Sequence, residues 1–141
     1  GTILVERARW DDGALLVGGD RFAEPLRRAE ENLTALGIRA ALVQWDARDL
    51  PLASESVDKI VCNLPWGRRV GSHTVNIHLY PGFVRQMGRV LRPKGRAVLL
   101  TQEKRLITRL VEKNPRLELV ACYRLSLSGL HPSIYVVKKR G

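Results

Sequence analysis

The sequence is poor in cysteine, in acidic side chains and in long apolar runs. It has only two cysteines, Cys62 and Cys122, in 141 residues. Two thiols make neither a disulfide framework nor a metal quartet. Both sit in apolar, strand-like runs, so they are expected as buried free thiols of a reducing compartment, with the cytoplasm as location. No apolar stretch approaches the roughly 20 residues of a membrane span. The basic-then-apolar pattern of a signal peptide is also missing, and none is expected ahead of the fold. No internal repeat or low-complexity tract occurs. No carboxylate or cysteine spacing around His73, His78 or His131 makes any of them a metal ligand, so no metal is expected.

What is present in excess is positive charge. Lys and Arg total 24 against 14 Asp and Glu, a net charge of +10. Such a field attracts polyanions and speeds encounter with them, although a merely solvated surface has the same composition. Basic clusters stand at Arg68-Arg69 and Lys138-Lys139-Arg140. With 45% hydrophobic and 27% charged residues, the chain reads as a soluble globular protein. Its length suits one domain and one core, residues 1–141.

Strand-like and helix-like segments alternate along it. Residues 2–8 suit a short helix. Residues 14–19 form an apolar run ending at Asp20, the pattern of a buried parallel strand. Phe22, Leu26, Ala29, Leu33 and Leu36 then recur at helical spacing, with Pro25 in the first turn and Gly37 as the stop. Residues 40–45 and 57–62 read as strands ending at Asp46 and Asn63, with Asp58 and Lys59 at an exposed end. Residues 71–77 are polar and aperiodic and read as a loop. Tyr80, Phe83, Val84, Met87, Val90 and Leu91 mark a helix, and Arg92-Pro93-Lys94-Gly95 a turn. A strand at residues 97–100 and a helix carrying Leu106, Ile107, Leu110 and Val111 follow. The tail alternates with the period of a strand from Leu117 to Leu127. It turns at residues 128–132 and returns through residues 134–137, an antiparallel hairpin. Helices between short apolar strands imply an α/β sheet covered on both sides.

In such sheets ligands bind beyond the carboxyl ends of the strands. Three of those ends carry Asp20, Asp46 and Asn63. A carboxylate there accepts the hydroxyls of a ribose, and a second accepts the amino group of an adenine edge. Either Asp alone is equally a helix cap, but both in this order point to a nucleoside pocket. The most informative run is Asn63-Leu64-Pro65-Trp66-Gly67. An exocyclic amine on a base is a poor nucleophile, because its lone pair is delocalised into the ring. Methylating it calls for acceptors on both N–H groups, so that the nitrogen pyramidalises toward the donor. The Asn63 side-chain oxygen and the Leu64 carbonyl supply two acceptors. Pro65 fixes the backbone between them, Trp66 offers a face for stacking, and Gly67 permits a tight exit. The competing reading is a plain strand-ending turn with Trp66 in the core. Arg68 and Arg69 suit phosphates beside a flipped base or a solvated loop. Trp10 and Trp45 read as packing residues.

On these residues the chain resembles the methyltransferase domain of THUMP-containing, guanine-N2-specific tRNA methyltransferases. It resembles more loosely the amino-group methyltransferases with an (Asp/Asn)-Pro-Pro-(Tyr/Phe/Trp) signature. Gly1-Thr2-Ile3-Leu4-Val5-Glu6 resembles the close of the family's glycine-rich cofactor loop, Gly19-Asp20 its ribose-binding acid, and Asn32 an Asn of the next helix. Gln44-Trp45-Asp46 resembles the adenine-binding acid, and residues 96–101 the strand after the catalytic signature. The resemblance implies a Rossmann-like class I methyltransferase sheet with a C-terminal antiparallel hairpin. It implies S-adenosyl-L-methionine as cofactor, held by Gly1, Thr2, Asp20, Arg21, Asp46, Ala47 and Asn63. Asn63, Leu64, Pro65 and Trp66 become catalytic and tRNA the substrate, with rRNA guanine N2, adenine N6 or an inactive RNA-binding fragment as alternatives. Leu64 stands where the signature has its first Pro, and the carbonyl is retained. The family's first, central strand has no counterpart before Gly1, so a single, N-terminally truncated domain is expected. Its completion would fall to a missing segment, an RNA-binding domain or a second chain.

Overall fold

Short apolar runs and helical spacings are realised as alternating strands and helices. The computed structural model describes residues 2–11, 13–67 and 72–141. In chain order these form α1 (Thr2–Trp10), β1 (Val17–Asp20), α2 (Ala23–Ala35), β2 (Ala41–Gln44) and β3 (Val57–Asn63). There follow α3 (Ser72–Val90), β4 (Leu91–Thr101), α4 (Lys104–Lys113), β5 (Leu117–Arg124) and β6 (Ser133–Lys139). The chain divides into two compact units, Gly1–Ala47 and Arg48–Gly141.

In the first unit β1 and β2 form a two-stranded parallel sheet, in register from Val17 opposite Ala41 to Asp20 opposite Gln44. β1 is shorter than the apolar run predicts, because a ladder reaches only as far as its partner and β2 is itself four residues long. α2 buries Ala29 and Leu33. On its exposed face Arg27 hydrogen-bonds Glu24 and Glu31, and the Arg27 bond holds the Glu24 carboxyl below its ordinary pKa. The helix ends as predicted at Gly37, whose φ is +68°. The Gly37 N–H reaches the Thr34 carbonyl at 3.1 Å and Ile38 N–H the Leu33 carbonyl at 2.9 Å, a Schellman closure. Trp10 is not a packing residue. It is 86% exposed, because it lies roughly 140° around α1 from the buried Val5. Trp45 does pack: its indole lies so close to Gly19 that a Cβ there would sit 1.8 Å from it.

In the second unit the strand order is β3-β4-β6-β5. β3 runs parallel to β4, and β6 is antiparallel to both β4 and β5, as the tail hairpin predicts. Buried Ala97, Leu99, Tyr135 and Val137 of the sheet form a core with Tyr80, Phe83, Val84 and Met87 of α3 and Leu106, Ile107 and Val111 of α4. The hairpin closes at Ser128 and Gly129, both at positive φ, between paired Leu127 and Leu130, the twist a tight hairpin needs.

Three expectations are corrected here. Gly71 lies outside the described residues, but residues 72–77 are helix and not loop. The core-facing position one turn before Tyr80 is taken by Asn76, fully buried, while Val75 and Ile77 are 60% and 41% exposed. The apolar period is thus inverted over that turn, which hides the helix from its pattern. Residues 92–95 do not end an element but interrupt the β3–β4 ladder as an irregularity, with Lys94 at φ +70°. Cys62 is half-buried and Cys122 exposed, and neither is the fully buried thiol expected. Cys122 follows a register shift in β5, a strand at the sheet's edge.

Candidate active site

Each unit carries one set of candidate groups. In the first, Asp20 ends β1 and Asp46 follows β2 by one residue beyond Trp45. The Trp45 N–H donates to the Asp20 carbonyl at 3.0 Å, and the parallel register places the ends of β1 and β2, with Asp20 and then Asp46, on the same side of this small sheet. Asp20 Oδ1 accepts the Phe22 N–H at 2.9 Å, which fixes its rotamer. The Gln44 side chain donates to the Arg21 carbonyl at 3.0 Å, tying the two loops together. Arg21 and Ala47 are the next residues along, with the Arg21 guanidinium 5.9 Å from the centre of the exposed Phe22 ring. Thr2 is the first residue of α1 and shares a surface hollow with Val5, Asn32, Ala35 and Leu36. Gly1 lies outside the described residues. Two half-exposed carboxylates on adjacent strand ends suit the donors of a nucleoside, a ribose diol and an adenine amine.

In the second unit Asn63 ends β3, exposed at the strand's carboxyl end. Its Oδ1 accepts the Trp66 indole N–H at 3.0 Å. That bond identifies the oxygen of the amide and turns it toward the loop, while a carboxamide oxygen keeps a second lone pair for another donor. Leu64 is 4% exposed, and its N–H donates to the Leu100 carbonyl at 2.9 Å, continuing the ladder past the end of β3. A proline in that place has no N–H to give. Leu64 precedes a proline, which disfavours a helical backbone there; Gly67 turns at φ +73°.

Beneath the loop lies a polar network that no local motif announces. The Pro65 carbonyl accepts a close hydrogen bond from the Tyr80 hydroxyl and one from Asn76 Nδ2 at 3.0 Å. Since the Tyr80 hydrogen points at Pro65, the 2.7 Å contact between Tyr80 and Thr101 has Thr101 as donor. The Glu103 N–H donates in turn to Thr101 Oγ1 at 2.9 Å. The Glu103 carboxylate, on a side chain only 10% exposed, accepts from His73 Nδ1 at 2.8 Å and from Asn76 Nδ2 at 3.3 Å. Burial pushes the Tyr80 phenol far above its ordinary pKa, with the Glu103 charge adding to the shift, so it stays an O–H donor. In the sequence Tyr80 reads only as a helix core position and His73 only as a residue without metal-ligand spacing, and Asn76 and Glu103 carry no site reading. Their only signal is a polar residue at a core position of α3. Arg68 and Arg69 lie outside the described residues. Among the described residues no His, Cys, Asp and Glu group has the arrangement of a metal site.

Alternating strands and helices, with acids at two strand ends and Asn63 at a third, have the arrangement of the class I methyltransferase fold. The chain belongs to the RMKL-like methyltransferase domain family, whose model matches residues 2–133. It is 35% identical over 154 residues to the tRNA (guanine(6)-N(2))-methyltransferase THUMP3 of Mus musculus, covering 99% of this chain and 30% of that protein. It is 32% identical over 141 residues to the tRNA (guanine(6)-N2)-methyltransferase of Thermus thermophilus, covering 99% of this chain and 42% of that protein. The crystal structure of TrmN from Thermus thermophilus superposes with a TM-score of 0.86 at 31% identity, over 99% of this chain and 41% of that one. A relative in Bos taurus, 37% identical over 107 residues, is a U6 snRNA (guanine-N(2))-methyltransferase, with 73% of this chain and 20% of that protein covered. The chain thus spans between 20% and 42% of the length of these curated relatives.

Proposed function

We propose that this chain transfers a methyl group from S-adenosyl-L-methionine to the N2 amino group of a guanine in tRNA. The observation that carries the reading is the Asn63 amide oxygen, held in the loop by Trp66 and followed at once by the backbone carbonyl of Leu64. Family membership across residues 2–133 supports treating residues 1–141 as one methyltransferase domain. The two unpaired cysteines support a reducing compartment such as the cytoplasm.

S-adenosyl-L-methionine, when bound, supplies a methyl group made electrophilic by its sulfonium. Asp20 would hold its ribose and Asp46 its adenine, with Thr2, Arg21 and Ala47 of the same unit beside them. Asn63 Oδ1 and the Leu64 carbonyl each accept one N–H of the guanine amine. With both hydrogens held, the nitrogen lone pair is withdrawn from the ring and can be directed at the methyl carbon. Trp66 bounds the base, half-buried beside Asn63. The reaction is a displacement aided by positioning. The C–N bond forms as the C–S bond breaks, and the methylated amine gives up one proton.

Asn63→Ala removes one acceptor and leaves Asp20 and Asp46 intact. It is expected to lower kcat by about 100-fold or more, with cofactor affinity within about twofold by calorimetric titration. An active Asn63→Ala chain overturns the assignment. The relatives named for tRNA and for U6 snRNA share guanine N2 and differ in the RNA. Digesting methylated RNA and identifying the nucleoside separates guanine N2 from adenine N6.

A further inference from the structure

We propose that Asn76, Tyr80 and Glu103 are positioning residues for methyl transfer, holding the Pro65 carbonyl against α3 so that the Leu64 carbonyl is presented to the amine. The proposal rests on the function given above for the clamp and adds residues that touch neither substrate nor cofactor.

The Leu64 and Pro65 carbonyls are separated by the two backbone torsions of Pro65, one of which the proline ring fixes. The Pro65 carbonyl is taken by two donors from α3. Holding it there restricts the remaining torsion and with it the direction of the Leu64 carbonyl. The donors are themselves held. Glu103 Oε1 takes the other hydrogen of Asn76 Nδ2, and the chain from Glu103 N–H through Thr101 and Tyr80 ends on Pro65. The same carboxylate fills the space beneath Gly67, where a Cβ would lie 1.9 Å from Glu103 Oε1. Path and turn of the loop are thus set by one set of side chains.

The network also has a cost that packing alone does not explain. Asn76 is fully buried, and its Oδ1 has no hydrogen-bond partner among the described residues. A buried acceptor without a partner is unfavourable, whereas an apolar residue of similar shape leaves none. A site that keeps an Asn for its two N–H groups and tolerates the orphaned oxygen is arranged for orientation before stability.

The test compares Asn76→Leu and Tyr80→Phe with the parent chain. Both variants are expected to lower kcat about tenfold or more. The KM for RNA and the affinity for S-adenosyl-L-methionine should stay within about threefold. The melting temperature of Asn76→Leu should hold or rise, which a merely structural role does not allow. The Leu64 amide, bonded to Leu100 in the parent, should exchange its hydrogen about tenfold faster in both variants. Tyr80→Phe, which changes one oxygen, keeps the proposal falsifiable if Asn76→Leu does not fold. Unchanged Leu64 exchange, a loss confined to KM, or a kcat within about twofold of the parent in every variant that folds overturns it. If the parent methylates no RNA, the proposed function fails by itself, and Leu64 exchange still decides whether the network sets the loop.

Discussion

At the scale of single residues, the loop after β3 combines two kinds of information. The groups proposed to face the acceptor, Asn63, Leu64, Pro65 and Trp66, are adjacent in sequence, and so one short run suggests them. The groups that hold the loop come from α3 and from the start of α4, far along the chain, and no local pattern reports them. Leu64 is itself informative. Replacing it by the proline of the related signature keeps the carbonyl but removes the N–H bonded to Leu100. Leu64→Pro is expected to lose about 1–2 kcal/mol of stability by denaturant titration while retaining transfer. Gly67→Ala is expected to lower both stability and kcat, because its φ is +73° and its Cβ would displace Glu103. Burial pushes the Cys62 thiol up to about 11, from an unfolded value near 9.0. The folded state therefore holds that proton more tightly. The resulting stability is complete below about pH 9 and is lost as pH rises toward 11. At pH 8 iodoacetamide should label Cys122, which is exposed, well ahead of Cys62, as mass spectrometry of the peptides will show.

At the scale of elements, α3 does most to organise the second unit. Its first turns bring Asn76 and Tyr80 under the loop, and its last turn secures the approach to β3. Arg89 donates to the Leu52 carbonyl at 2.7 Å and to the Leu50 carbonyl at 2.9 Å. The Lys139 ammonium, on a side chain 7% exposed, donates to the Leu91 carbonyl at 2.8 Å, just past the helix end. Arg89→Met removes a charged donor from both carbonyls, one of them on the buried Leu50. It is expected to destabilise the chain by about 2–3 kcal/mol, read as a lower denaturation midpoint. The second half of α3 was legible from its apolar spacing, and the first half was not. Val75 and Ile77 point outward while Asn76 points in, so the period that reveals a helix is broken by the residue that gives the helix its role. Arg92-Pro93-Lys94-Gly95 misled for a related reason. Breakers specify a local bend, and pairing with β3 on either side of it was invisible until the sheet was seen.

At the scale of the whole molecule, the net charge of +10 implies that RNA binding, as proposed, is sensitive to salt. If about four phosphates are neutralised, binding should weaken by about 100-fold between roughly 50 and 200 mM salt. A flat salt response would remove the charge from the account of RNA recognition. Among the described residues the strands pair as two sheets, β1-β2 and β3-β4-β6-β5. Of these pairings only the tail hairpin was legible, because its strands are neighbours in sequence, whereas the parallel pairing of β3 with β4 spans α3 and leaves no local signal.

The two-stranded sheet has a consequence for how the chain responds to its methyl donor. A pair of four-residue strands is close to the smallest sheet that water tolerates, so Gly1–Ala47 is expected to gain most from a bound ligand. A ligand held by Asp20 and Asp46 adds its binding free energy to that unit, about 2.7 kcal/mol at roughly a hundred times its dissociation constant. Protection of the Val17–Asp20 amides should therefore rise with S-adenosyl-L-methionine while that of β4 and β6 stays nearly constant. If Asp20 and Asp46 hold the donor as proposed, it is a folding partner of the first unit as well as a reactant.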